Sequence, residues 1–267
     1  MEFVASILGF IIGSLIGISG MGGGSLMTPL LIILLGVKPI TAIGTDLVYM
    51  SITKSFGSLQ HYKQGSIDFT IVKYLLIGGV PFTFIGFFLI SYINSTFSQI
   101  TDNIIRYSLS TVLLCAGLII IYMTVTNKSI IKTNLSTQIK KLENKEINSS
   151  KKFQTVLIGA TIAFMVSFTS VGSGVLLMPF LLLVYKIIPR RLVGSDILFA
   201  FIITTLSGLS FLFIGEVDII LLLLLSIGSI PGVIVGSKLS NRISPKILRT
   251  ILGLVIISTT IPLIIQI

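Results

Sequence analysis

Ser19-Gly20-Met21-Gly22-Gly23-Gly24-Ser25-Leu26-Met27-Thr28-Pro29 interrupts an otherwise apolar run that extends from Phe3 to Leu35. Adding 150 to each number brings back a related interruption, Thr169-Ser170-Val171-Gly172-Ser173-Gly174-Val175-Leu176-Leu177-Met178-Pro179. One ordinary membrane crossing takes about 20 apolar residues, and both runs are longer. Each is therefore read as two helices, with Gly22–Gly24 or Gly172–Gly174 between them and a new half-helix beginning at Ser25 or Val175.

The same offset persists outward from the two breaks. Gly9 matches Gly159, Pro29 matches Pro179, Pro39 matches Pro189, Gly44 matches Gly194 and Asp46 matches Asp196. Further on, Gly65, Asp68, Gly78, Pro81 and Gly86 match Gly215, Asp218, Gly228, Pro231 and Gly236. Chance identity in apolar sequence would fall mostly on leucine and isoleucine. Glycine, proline and aspartate make specific backbone and charge demands, so the chain reads as an internal repeat.

With 53% hydrophobic and 10% charged residues and a mean hydropathy of +1.06, the chain carries more apolar surface than a soluble domain can hide. Its runs do not alternate with period two, which excludes a transmembrane β-barrel. Apolar segments fall at about 3–35, 40–60, 69–92, 105–126, 153–185, 192–214, 217–240 and 247–266. The expected fold is an all-α polytopic membrane protein of two inverted repeats, each a glycine-broken helical hairpin plus three transmembrane helices. Residues 1–126 form the first repeat, 127–152 a linker and 153–267 the second repeat, in one membrane domain.

The net charge of +10 does not point to nucleic acid, because the charges lie in loops that flank apolar spans. The linker carries seven lysines against Glu143 and Glu146, and the positive-inside rule puts it in the cytoplasm. If both broken segments are hairpins that return to their own side, nearly all loop lysines and arginines join the linker, and only Lys38 and Arg106 lie opposite. If each crosses once, the charges divide almost evenly. The hairpin arrangement follows, and it makes the two halves opposite in orientation. It leaves open whether each hairpin is re-entrant or fully spanning. Met1-Glu2-Phe3 lacks the basic region of a signal peptide, so the first segment is expected to be retained. The one cysteine, Cys115, cannot form an intrachain disulfide.

Broken backbone at membrane depth must be buried in protein or line a cavity. The free N–H groups and positive dipole end of a half-helix suit an anion, and consecutive glycines let the backbone close around it. Inverted repeats bring such breaks together near the midplane. The expected substrate-binding residues are Ser19, Gly22, Gly23, Gly24 and Ser25 in the first half and Thr169, Gly172, Ser173 and Gly174 in the second. Thr45 and Ser195, beside the repeated aspartates, complete the set with Lys54. Lys54 lies eight residues after Asp46, about 12 Å along the axis of a helix, and its repeat partner is Thr204. Carboxylates and an ammonium inside spans are costly and mark function. Asp46 and Asp196 are expected to couple transport to a proton or cation. His61, beside Tyr62 and Lys63, reads as an interfacial residue. No Cys/His cluster, P-loop, GxSxG or HExxH signature is present, so no cofactor, metal or enzymatic activity is expected.

At these residues the chain resembles the sulfite exporter TauE/SafE family, also called the toluene sulfonate uptake permease family. The resemblance covers nearly the whole chain. It rests on residues 20–29, on Ala-Ile-Gly-Thr-Asp-Leu at 42–47, on Thr-Ser-Val-Gly-Ser-Gly at 169–174, on Val-Gly-Ser-Asp-Ile at 193–197 and on Gly-x-x-Pro-Gly at 228–232. It implies movement of sulfite, sulfonates or sulfoacetate across the cytoplasmic membrane. Many relatives carry serine at the positions of Asp46 and Asp196; a subgroup shares Gly-Thr-Asp followed by Ile-Thr-Lys at 52–54. Expected partners are the lipid bilayer, a small anion and a second copy of the chain in a homodimer, without nucleic acid. The rival readings are carriage of another small solute or ion, an intramembrane aspartyl protease built on Asp46 and Asp196, and a non-transporting membrane subunit.

Overall fold

A computed structural model describes residues 2–19, 24–126, 149–185, 189–240 and 245–265. These form α1 (Glu2–Ser19), α2 (Gly24–Leu35), α3 (Pro39–Lys63), α4 (Phe69–Thr96), α5 (Ser98–Thr126), α6 (Ser149–Thr169), α7 (Leu177–Val184), α8 (Pro189–Phe213), α9 (Ile219–Ser240) and α10 (Pro245–Ile265). No strand occurs among the described residues. Residues 127–148 of the expected linker lie outside them, as do Gly22 and Gly23 and the side chains of Ser19 and Ser25.

Both overlong apolar runs divide into two helices at their glycine breaks. α2 begins at Gly24, one residue before the expected start. α7 begins two residues after the expected Val175, because residues 173–176 form a turn first. The Leu176 N–H donates to the Gly172 carbonyl at 3.0 Å, with Gly172 at φ 139° and Gly174 at φ 87°. Two helices extend past their apolar segments into polar sequence. α5 starts at Ser98, and α6 starts at Ser149 inside the basic stretch, where the Lys152 ammonium lies 5.6 Å from the centre of the Tyr74 ring.

The start signals repeat with the sequence. The Asp68 side chain accepts from the Thr70 and Ile71 N–H groups at the start of α4, at 3.0 and 3.2 Å. Asp218 accepts from the Leu221 N–H at the start of α9, at 2.9 Å. These are N-caps, which satisfy amides that have no partner within the helix. Gly65 and Gly215 turn the chain just before them at φ 59° and 76°, the left-handed region that side chains disfavour.

Packing between the halves is reciprocal. α1 packs on α9, and α6 packs on α4 in the corresponding way; α3 meets α8, and α5 meets α10. The glycine contacts show the correspondence atom by atom. A Cβ on Gly9 would strike the Leu225 carbonyl, and one on Gly159 would strike the Leu75 carbonyl. A Cβ on Gly78 would strike Val156, and one on Gly228 would strike Ser6. Each pair becomes the other when 150 is added to one number and subtracted from the second. Such small-residue contacts hold helices together in lipid, where burying apolar surface offers little advantage.

Among the described residues, five helical stretches are long and apolar enough to cross a membrane: Phe69–Thr96, Ile100–Tyr122, Ser149–Thr169, Arg191–Phe213 and Ile219–Gly236. Shorter apolar stretches lie at Ala5–Leu15, Leu26–Leu35 and Thr250–Ile265. Large apolar side chains such as Phe88, Leu118, Ile227 and Ile230 face outward, as lipid contact requires. The chain is a multi-pass α-helical membrane protein. α3 has the length to span but carries buried polar groups, among them Thr45, Asp46, Lys54 and Ser58.

Candidate functional site

The second glycine break is buried throughout, from Thr169 to Leu177, as backbone without helical hydrogen bonds must be at membrane depth. α6 ends at Thr169, and its last turn is closed locally. The Thr169 hydroxyl donates to the Met165 carbonyl at 2.7 Å and also accepts from the Val171 N–H at 3.3 Å. Ser170 then takes φ 59°, rare for a residue with a side chain. That turn aims the Ser170 hydroxyl out of its own helix toward α3.

Asp46 receives it. The Ser170 Oγ donates to Asp46 Oδ2 at 2.8 Å, and the Thr28 Oγ1, from α2, donates to the same oxygen at 2.6 Å. The two hydroxyls also contact each other. Asp46 is wholly buried, and its Oδ1 has no hydrogen-bond partner. Two turns along α3, the Lys54 Nζ donates to the Ser173 Oγ at 2.7 Å. Lys54 is 7% exposed and interacts through charge with Asp196 and, more weakly, with Asp46. The Asp196 carboxylate, on α8, accepts from the Gly174 backbone N–H. One break therefore gathers two carboxylates, an ammonium and three hydroxyls from α2, α3, α8 and its own backbone. All are buried, so this state is closed at the site.

Of the residues expected to bind substrate, the structure brings Lys54, Ser173 and Gly174 together with the two expected coupling residues, Asp46 and Asp196, and Gly172 shapes the turn. Thr169 spends its hydroxyl on its own chain. Thr45 and Ser195 are engaged elsewhere: the Thr45 hydroxyl accepts from the Asp218 N–H at 3.0 Å, and the Ser195 hydroxyl accepts from the Asp68 N–H at 2.9 Å. Beside them, Gly44 lies against the Glu216 carbonyl and Gly194 against the Ser66 carbonyl. The repeated Gly-Thr/Ser-Asp thus clasps the turn of the other half with its first two residues and turns its aspartate inward. Gly22, Gly23 and the side chains of Ser19 and Ser25 fall outside what is described, and Gly24 is described only as the first residue of α2. His61 Nδ1 is hydrogen-bonded to the Ser66 Oγ at 2.8 Å near the end of α3.

Thr28 and Ser170 were not among the expected site residues. The available signal was the loss of repeat identity: Ser170 replaces the repeat's Gly20, and Thr28 stands opposite Met178.

Residues 5–263 match the sulfite exporter TauE/SafE family. The chain belongs to that family. It is 38% identical to the probable membrane transporter protein YjnA of Bacillus subtilis (strain 168), over 97% of this chain and 98% of that protein. It is 25% identical to the probable membrane transporter protein YdhB of the same organism, over 90% and 91% of the two chains. No solved structure matches. Membership makes the chain a membrane transporter by family. Asp46 bonds Thr28 and Ser170, Asp196 bonds the Gly174 amide, and no hydrogen bond joins the two carboxylates among the described residues.

Proposed function

We propose that this TauE/SafE protein is a secondary transporter that moves a small sulfur-containing anion, of the sulfite, sulfonate or sulfoacetate class, across the cytoplasmic membrane. The observation that carries the reading is the buried Lys54 ammonium, hydrogen-bonded to Ser173 at the break between two half-helices. An intramembrane ammonium is retained at high desolvation cost and marks a substrate or ion path. The break that holds Ser173 also carries the backbone amides of Gly172 and Gly174, donors of the kind that bind an oxyanion. The anion would replace Ser173 as the partner of Lys54 and take further bonds from the amides of 172–174. The first break, with Ser19, Gly22–Gly24 and Ser25, would contribute by the same pseudo-symmetry. Asp46 and Asp196 would couple the movement to an ion, and Thr45 and Ser195 would hold the halves in register.

The two halves lie in opposite orientation in this reading, with the 127–152 linker cytoplasmic. Alternating access follows from motion of one half against the other, which opens the closed site to each side in turn. Direct binding tests it: purified protein with radiolabelled sulfite, thiosulfate, sulfate, sulfoacetate or taurine should retain one of them saturably, and Lys54→Met should retain it at least tenfold less. Equal retention by the variant would remove Lys54 from the site.

A further inference from the structure

The contact of Asp46, Thr28 and Ser170 contains more short distances than its hydroxyls can supply with protons. Asp46 Oδ2 is 2.6 Å from Thr28 Oγ1 and 2.8 Å from Ser170 Oγ, and the two hydroxyl oxygens also lie within hydrogen-bond reach of each other. Three oxygens in mutual contact need three protons, one between each pair, because facing lone pairs repel. Two hydroxyls bring two. A carboxylate brings none and can only accept from both hydroxyls, whereas a carboxylic acid brings the third and closes a ring in which each group donates once and accepts once, with Oδ2–H donating to one hydroxyl and Oδ2 accepting from the other. The separations are those of O–H···O hydrogen bonds. Oxygens around a metal ion stand further apart on its coordination sphere, so the ring is the size for a proton.

The charges around Asp46 leave the ring room to be neutral. Lys54 and Tyr49, both on α3, interact with it through charge. α2 and the 170–176 break carry no titratable side chain. α8 contributes Asp196, whose charge interaction is with Lys54. Glu216, on the turn before α9, is bonded to the Thr41 hydroxyl at 2.7 Å. With Asp46 neutral, the buried charges at the site are Lys54 and Asp196, and they balance.

The ring is also built across the molecule. Thr28 and Asp46 lie on α2 and α3 in the first half, and Ser170 lies in the break between α6 and α7 in the second. We propose that Asp46, Thr28 and Ser170 form a proton-binding site that closes when the two halves meet and opens when they part. Proton loading then accompanies one conformation, and parting of the halves exposes the acid for release. This rests on the transporter reading and names its coupling ion and the place where that ion is held.

Infrared difference titration of the protein in lipid tests the site without any substrate. Wild type should show the carbonyl band of a protonated carboxylic acid, retained in Asp196→Asn, lost in Asp46→Asn and displaced in frequency in Thr28→Val. The absence of that band in folded wild type, or its persistence in Asp46→Asn, would overturn the proposal. If Asp46→Asn does not fold, Thr28→Val decides, since a band that does not move belongs to another group. In proteoliposomes, an imposed pH gradient should accelerate anion uptake by wild type and should not accelerate uptake by Asp46→Asn. The band without flux of any sulfur anion would sink the substrate reading and leave the proton site; flux without the band would do the reverse.

Discussion

At the scale of the residue, Lys54 and Ser173 carry the anion reading. A hydrogen bond to a charged group contributes about 1.5–3 kcal/mol, and every 1.4 kcal/mol is tenfold in affinity. Ser173→Ala strands one donor of a buried ammonium, so thermal unfolding in detergent should occur at a lower temperature than in wild type. The same variant should still bind the anion, because the anion takes Ser173's place; loss of binding equal to that of Lys54→Met would instead make Ser173 a direct ligand. Hydroxyls were the hardest part of the site to read from sequence. Most Ser and Thr in these helices bond a carbonyl of their own helix, as Thr124 does to Ile120 at 2.7 Å and Thr204 does to Ala200 at 2.8 Å. A hydroxyl in an apolar helix therefore carries little information by itself. Thr28 and Ser170 differ only because their partner lies 18 and 124 residues away, a relation that no local pattern encodes. Lys54 and the two aspartates were legible, because a charge inside an apolar span stands out whatever surrounds it.

At the scale of the element, the clasps formed by Gly-Thr-Asp and Gly-Ser-Asp fix α3 and α8 to the turns of the opposite half. Gly44→Ala would drive a methyl group into the Glu216 carbonyl, and Gly194→Ala would do so at Ser66. Each should destabilise by about 1–3 kcal/mol, the usual cost of overpacking, read as a lower unfolding temperature. Thr45→Val leaves the Asp218 amide without its acceptor and should cost about 1–3 kcal/mol, while Thr45→Ser should restore most of it. A Thr45→Val protein as stable as wild type would show that the clasp is incidental. The repeat was legible for the same physical reason that the clasps exist. Only glycine permits these backbone approaches, and aspartate caps both α4 and α9, so these positions recur while the leucines between them drift. The start of α7 was misplaced by two residues because glycines mark a break without stating which turn will fill it.

At the scale of the whole molecule, the reciprocal contacts of the halves make a specific claim about the bilayer. Lys63 and Phe213 occupy corresponding exposed positions at the ends of α3 and α8. If the halves are oppositely oriented, cysteines placed there in a Cys115→Ser background should react with an impermeant maleimide from opposite sides of the membrane, Lys63→Cys from the cytoplasm. Labelling of both from one side would abolish the inverted arrangement. The central claim is that the closed site between the halves carries a small sulfur anion, and counterflow in proteoliposomes addresses it most directly. Vesicles loaded with sulfite, thiosulfate, sulfate, sulfoacetate or taurine should show saturable uptake of at least one labelled anion through wild type, reduced about tenfold or more by Lys54→Met. No counterflow of any of these anions, with protein shown to be folded in the vesicles, would contradict it.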